Sequence, residues 1–173
     1  MPEPQRRDLE RYLEQCTAVG PDFRWATAGN LHLTVRFIGN VELALVEGIA
    51  DRLEASAGPA FRLALGDVGL FRRSRLARVV WLGISEGDGA LQALAARVET
   101  ECRNAGLAGE VRPFQPHLTL ARARARDGAS LPELPPVVRL DPWTAKELVL
   151  YRSHLGKGGA VHEPIRVIRL VDL

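Results

Sequence analysis

Apolar positions recur at two periods along this chain. At helical spacing they mark three stretches: 4–16 with Leu9, Tyr12, Leu13 and Cys16; 41–57 with Leu45, Ile49 and Leu53; and 90–105 with Leu91, Leu94, Val98 and Cys102. Gly58-Pro59 and Gly106 end the second and third. Alternating or short apolar runs predict strands at 23–27, 60–70, 78–84, 143–151 and 164–171. Gly29-Asn30 and 156–159 read as turns, 71–78 as a basic loop, and 124–136 as a proline-bearing loop.

Two further strands share one phrase. The first is His32-Leu33-Thr34-Val35-Arg36-Phe37 and the second His117-Leu118-Thr119-Leu120-Ala121-Arg122. Successive side chains on a strand point to opposite faces. Each phrase therefore buries its aliphatic residues and offers an imidazole beside a hydroxyl on the open face. The order of helix and strands, with the phrase in both halves, predicts an internal duplication: an α+β fold of two similar lobes. Arg36 falls two residues beyond Thr34, on the same face, where it contacts substrate or ends in solvent. Alternation aims Arg122 the other way.

Two imidazoles can divide acid and base work near neutral pH. Two hydroxyls can donate to an anion between them. Together they outline displacement at phosphorus without a metal. A single H-x-T is a chance pattern and a lone strand histidine is usually structural, but a doubled H-L-T-[VL] is neither.

Composition narrows the setting. Of 173 residues, 46% are hydrophobic and 25% charged, as in a globular domain with a real core. The formal net charge of +2 does not by itself announce a nucleic-acid binder. Cys16 and Cys102 sit in helical stretches, so buried free thiols are expected. The polar N-terminus and the lack of a long apolar run point to the cytoplasm. His154 and His162 lack a following x-Thr and read as structural or surface residues. The four histidines match no common zinc spacing, there is no C-x-x-C, and no phosphate-cradling G-x-x-x-x-G-K-[ST] is present. No cofactor is expected. The arginines at 72, 73, 75 and 78 could track an RNA backbone or line a solvated hairpin, and Phe114 could stack on a base or join the core.

The two phrases and their flanks, Asn30 to Gly39 and Arg112 to Arg122, resemble the signature pair of the two-histidine (2H) phosphoesterases. Within that superfamily they look most like the RNA 2′,3′-cyclic phosphodiesterases, also called the 2′-5′ RNA ligase or LigT-like family. Val79-Val80-Trp81-Leu82-Gly83 and the region of Ser153, Leu155 and Gly159 extend the likeness. The resemblance implies one domain over 1–173, built of two pseudo-twofold-related lobes. Each lobe would be an antiparallel sheet with helices packed outside, and the active-site cleft would lie between them. It implies hydrolysis of RNA 2′,3′-cyclic phosphate ends to 2′-phosphates, with His32 as proton donor, His117 as proton acceptor, and Thr34 and Thr119 on the phosphate. The reverse 2′-5′ joining would use the same site. The family's usual opening strand has no counterpart here, since the pattern begins at a helix. Partners would be RNA or nucleotides with cyclic ends, no membrane, and the protein would act as a monomer. A non-catalytic module binding RNA ends on the same fold is the alternative.

Overall fold

The computed structural model describes residues 1–137, 139–156 and 159–171. Three helices form: α1 (Glu3–Val19), α2 (Leu43–Ala55) and α3 (Asp88–Asn104). Each carries the apolar stripe read from its spacing: Leu9, Tyr12, Leu13 and Cys16; Ile49 and Leu53; Leu91, Leu94, Val98 and Cys102 are all buried. Both cysteines are buried free thiols. No helix among the described residues is long and apolar enough to cross a membrane.

The strands are β1 (Phe23–Trp25), β2 (Phe61–Arg73), β3 (Leu76–Glu86), β4 (Leu118–Ala123), β5 (Trp143–Ala145), β6 (Glu147–Gly156) and β7 (Gly159–Arg169). Several differ from expectation. The basic stretch 71–78 is no loop: β2 and β3 run into it, and it turns tightly at Ser74, whose φ is 53°. The expected strand 143–151 is broken at Lys146, between β5 and β6. The expected turn at 156–159 lies partly outside the described residues. The first H-L-T phrase forms no strand: its ladder pairing stops at an isolated antiparallel bridge, Leu33 to Leu118.

The α+β class stands, but the lobes are not sequence halves. The chain divides into two compact units, each assembled from three segments. One holds Met1–Leu33, Leu63–Glu86 and Pro116–Trp143; the other holds Thr34–Arg62, Gly87–Gln115 and Thr144–Leu173.

The first unit packs α1 against one face of a sheet ordered β1-β4-β3-β2-β5, antiparallel in its described pairings. Its core joins Leu9, Tyr12, Leu13 and Cys16 of α1 to Val80, Leu82, Leu118 and Leu120 of the sheet. The second unit packs α2 and α3 with the two-stranded ribbon β6–β7. Its core joins Ile49, Leu53, Leu94, Val98 and Cys102 to Ile168 and Leu170. Among the described residues the two units are unequal, with one α-helix in the first and two in the second.

Candidate functional site

The site is built on the face of the first unit's sheet opposite α1. Along β4, Leu118 and Leu120 enter the core at 1% and 0% exposure. His117 and Thr119 therefore take the other face, where both are half-buried. The bridge from Leu33 to Leu118 sets the neighbours of each in register as well. Leu33 packs on the core, so His32 turns to the open face, opposite Thr119. Thr34 is the next residue after Leu33 and begins a segment of the second unit.

Local contacts orient both imidazoles. His32 Nδ1 lies 2.7 Å from the carbonyl oxygen of Asn30, within the turn Ala28–Asn30 that delivers it. A carbonyl can only accept, so Nδ1 donates and Nε2 is the nitrogen that exchanges a proton. The His117 ring meets Phe71 edge-on, at 5.0 Å and 86°, and Trp81 at 6.0 Å and 60°. Phe71 and Trp81 are themselves 5.3 Å apart. Trp81 stands opposite Thr119 on one side and Gly69 on the other. A Cβ at Gly69 would fall 2.1 Å from the indole, so glycine makes room for that ring. The buried Trp81 Nε1–H finds no hydrogen-bond partner among the described residues, an unmet donor next to the histidine.

One residue turns up where alternation did not put it. Val80 pairs with Ala121, but Trp81 pairs with Thr119, leaving Leu120 as an extra residue. This β-bulge sends both Leu120 and Ala121 into the core, at 0% and 1% exposure, and returns Arg122 to the face of Thr119. The signal was present in the sequence. Two adjacent apolar residues, Leu120-Ala121, break the period just before Arg122.

Arg36 is placed differently from either expectation. Its side chain is 9% exposed and ion-paired to Glu99, with Nε 3.0 Å from Oε2, and to Glu110. It also donates to the Ala108 carbonyl at 2.6 Å. Burial alone would weaken the guanidinium's hold on its proton, but the Glu110 hydrogen bond and both carboxylate charges more than offset it. Glu99 is held below the usual carboxylate range, chiefly by the Glu110 backbone N–H and, against the effect of burial, by Arg36.

Several of the remaining candidates have structural occupations. Ser153 and His162 Nδ1 are 2.9 Å apart, and His154 pairs with Glu163 at 3.0 Å, both across the exposed β6–β7 ribbon. Arg73 pairs with Asp127 at 2.6 Å, and Arg72 donates to the Arg75 carbonyl. Among the described residues no three or more His, Cys, Asp or Glu side chains gather as a metal cluster would.

This geometry can be set beside known proteins. The sequence profile of the 2′-5′ RNA ligase superfamily matches residues 4–157. The chain belongs to that superfamily. An RNA 2′,3′-cyclic phosphodiesterase of Aeropyrum pernix is 33% identical over 131 residues, covering 76% of this chain and 73% of the relative. The enzyme of that name from Escherichia coli is 32% identical over 143 residues, covering 83% and 77%. Among solved structures, E. coli LigT complexed with 3′-AMP superposes with a TM-score of 0.83 at 28% identity, over 98% of this chain and 93% of LigT. TT0787 of Thermus thermophilus superposes at 0.81 with 27% identity, over 98% and 93%. The superfamily assignment thus extends well beyond the two phrases that first suggested it.

Proposed function

We propose that this protein is an RNA 2′,3′-cyclic phosphodiesterase that needs no metal. It opens the cyclic phosphate at an RNA 3′ end and leaves a 2′-phosphate. His117 takes a proton from water as the water oxygen bonds to phosphorus. His32 gives a proton to the 3′-oxygen as its bond to phosphorus breaks. Thr119 and Thr34 donate to the non-bridging oxygens, where negative charge builds in the phosphorane-like transition state. Arg122 adds a positive charge to the same face. Arg36 is left out of substrate contact, since its donors already serve Glu99, Glu110 and Ala108.

The observation that carries this reading is the Leu33–Leu118 bridge, which sets His32 opposite Thr119 on the face that bears His117. Thr34 is assigned by the likeness of its phrase to the second one. The curated relatives named RNA 2′,3′-cyclic phosphodiesterase support the substrate class. Transfer to a 5′-hydroxyl instead of water, the reverse of cleaving a 2′-5′ bond, would use the same groups.

The test is hydrolysis of a nucleoside 2′,3′-cyclic phosphate in excess EDTA, with the product read by ³¹P NMR. The expected product is the 2′-phosphate. A positioned acid or base contributes roughly 10²–10⁴-fold, so His32→Ala and His117→Ala should each lose about that much. Near wild-type turnover in folded His117→Ala would sink the mechanism, and activity lost to EDTA and restored by a divalent ion would sink the metal-free assignment.

A further inference from the structure

The bulge in β4 has a counterpart in β3. Ala77 and Val80 of β3 both face the core, each at 0% exposure, although they lie three residues apart. Strict alternation would send them to opposite faces. The ladder with β2 shows how both turn inward: Phe71 pairs with Val79 and Arg72 with Ala77, so Arg78 is an extra residue. Arg78 and Val79 are left together on the open face, and on its other side Val79 stands opposite Arg122. The backbone of Arg78 is thus one strand spacing of about 4.8 Å and one residue of about 3.4 Å away from that of Arg122. Arg78 is exposed, and its guanidinium has no hydrogen bond or ion pair among the described residues.

Positive charge continues outward from Arg78. Arg75 lies at the tip of the β2–β3 hairpin, just after Ser74. Arg126 lies in the stretch after β4, which rejoins β3 at the bridge from Ala77 to Ala129. Both arginines are exposed and, among the described residues, unpaired. Asp127 is the only acid within 71–78 and 122–129, and Arg73 already matches it. The other flank of Arg122 offers no such continuation. Arg24 stands opposite Arg122 on β1, where the sheet ends, and Arg124 is tied to the Pro21 carbonyl. We propose that Arg78 holds the phosphodiester on the 5′ side of the terminal cyclic nucleotide, with Arg75 and Arg126 extending a cationic track along the RNA strand. Arg122 stays with the reacting phosphate, and the track rests on the phosphodiesterase reading for its substrate. Guanidinium suits the task, because its fork of donors matches two phosphate oxygens and its charge releases the counterions of the strand. The track favours an oligoribonucleotide end over a free cyclic nucleoside phosphate.

The experiment compares wild type, Arg78→Gln, Arg78→Lys and Arg24→Gln on two substrates. One is a nucleoside 2′,3′-cyclic phosphate with no 5′-phosphate, the other a dinucleotide ending in the same cyclic group. Arg24→Gln removes an equal charge from the opposite flank of Arg122 and controls for the general field. In parallel, the anisotropy of a labelled oligoribonucleotide ending in a 2′-phosphate is followed against salt, with the double variant Arg75→Gln/Arg126→Gln included. The expected result is a drop of about tenfold in kcat/KM on the dinucleotide for Arg78→Gln, with a much smaller change on the nucleoside substrate. Arg78→Lys should recover part of the loss, and Arg24→Gln should change both substrates by the same factor. The salt slope of binding should fall by about one in Arg78→Gln and by about two in the double variant, as when one or two phosphates are left without their cations. Equal effects of Arg78→Gln on both substrates, or a dinucleotide-selective loss in Arg24→Gln instead, would overturn the proposal. If wild type turns over neither substrate, the phosphodiesterase reading falls. The binding arm then decides alone, and an unchanged affinity and slope in Arg78→Gln overturns the track.

Discussion

Gly69 shows how much one missing side chain can organise. Trp81 lies across it, and the His117 ring packs edge-on against Trp81 and Phe71. Gly69→Ala places a methyl where the indole lies, and overpacking of this kind costs about 1–3 kcal/mol. Urea unfolding should show that loss, and tryptophan emission of the native protein should shift because the ring must move. An unchanged midpoint and spectrum would mean that the indole is not held there. Arg122 carries the opposite lesson. His117 and Thr119 were legible from a two-residue period, but the period could not be carried past Leu120-Ala121, where the strand takes one residue out of register.

At the level of elements, the segment that follows the first H-L-T phrase is joined to the body of its own unit by an ion pair rather than a ladder. Arg36, two residues after Thr34, links the segment to α3 through Glu99 and to Glu110 beyond it. Glu99 is held below its ordinary value near 4.3, so folding favours its charged form. The stability it supplies is present above that value and is lost as pH falls through its lower folded value. Glu99→Gln should therefore be less stable than wild type at neutral pH, and the gap should close as the pH drops below the carboxylate range. A gap that stays constant with pH would refute the linkage. Arg36→Met leaves two carboxylates facing each other without their cation. A cost on the order of 2 kcal/mol is expected, below that of a fully buried pair because Glu110 is partly in water. The residue types and the strand period suggested substrate for Arg36. The partners came from α3 and the stretch after it, far along the chain, and nothing local announced them.

At the scale of the molecule, two cores are built from interleaved segments and share no residue. Leu120→Ala in one and Ile49→Ala in the other should each cost about 2–5 kcal/mol. With no shared neighbours, the double variant should lose the sum to within about 0.5 kcal/mol. A marked departure in urea titrations would show that the cores are coupled. The repeated phrase suggested two halves, each with its own motif. In the structure His32, Leu33 and the whole second phrase belong to one unit, and Thr34 opens the other. Repetition in sequence reports common local chemistry, whereas the partition into units is set by which apolar faces find each other across long separations.

The amino-acid sequence alone determined the three amphipathic helices, the α+β class, the buried thiols and the facing of His117 and Thr119 in the second H-L-T phrase. All of these rest on short-range periods and on residue types, which act over a few positions. The tertiary structure decided that only one phrase is a strand and that Arg36 belongs to Glu99 and Glu110. It also decided that Arg122 faces Arg24 beside Thr119. Those outcomes depend on ladder register, a single bulge and ion pairs between distant segments, and such contacts exist only once the chain has closed on itself.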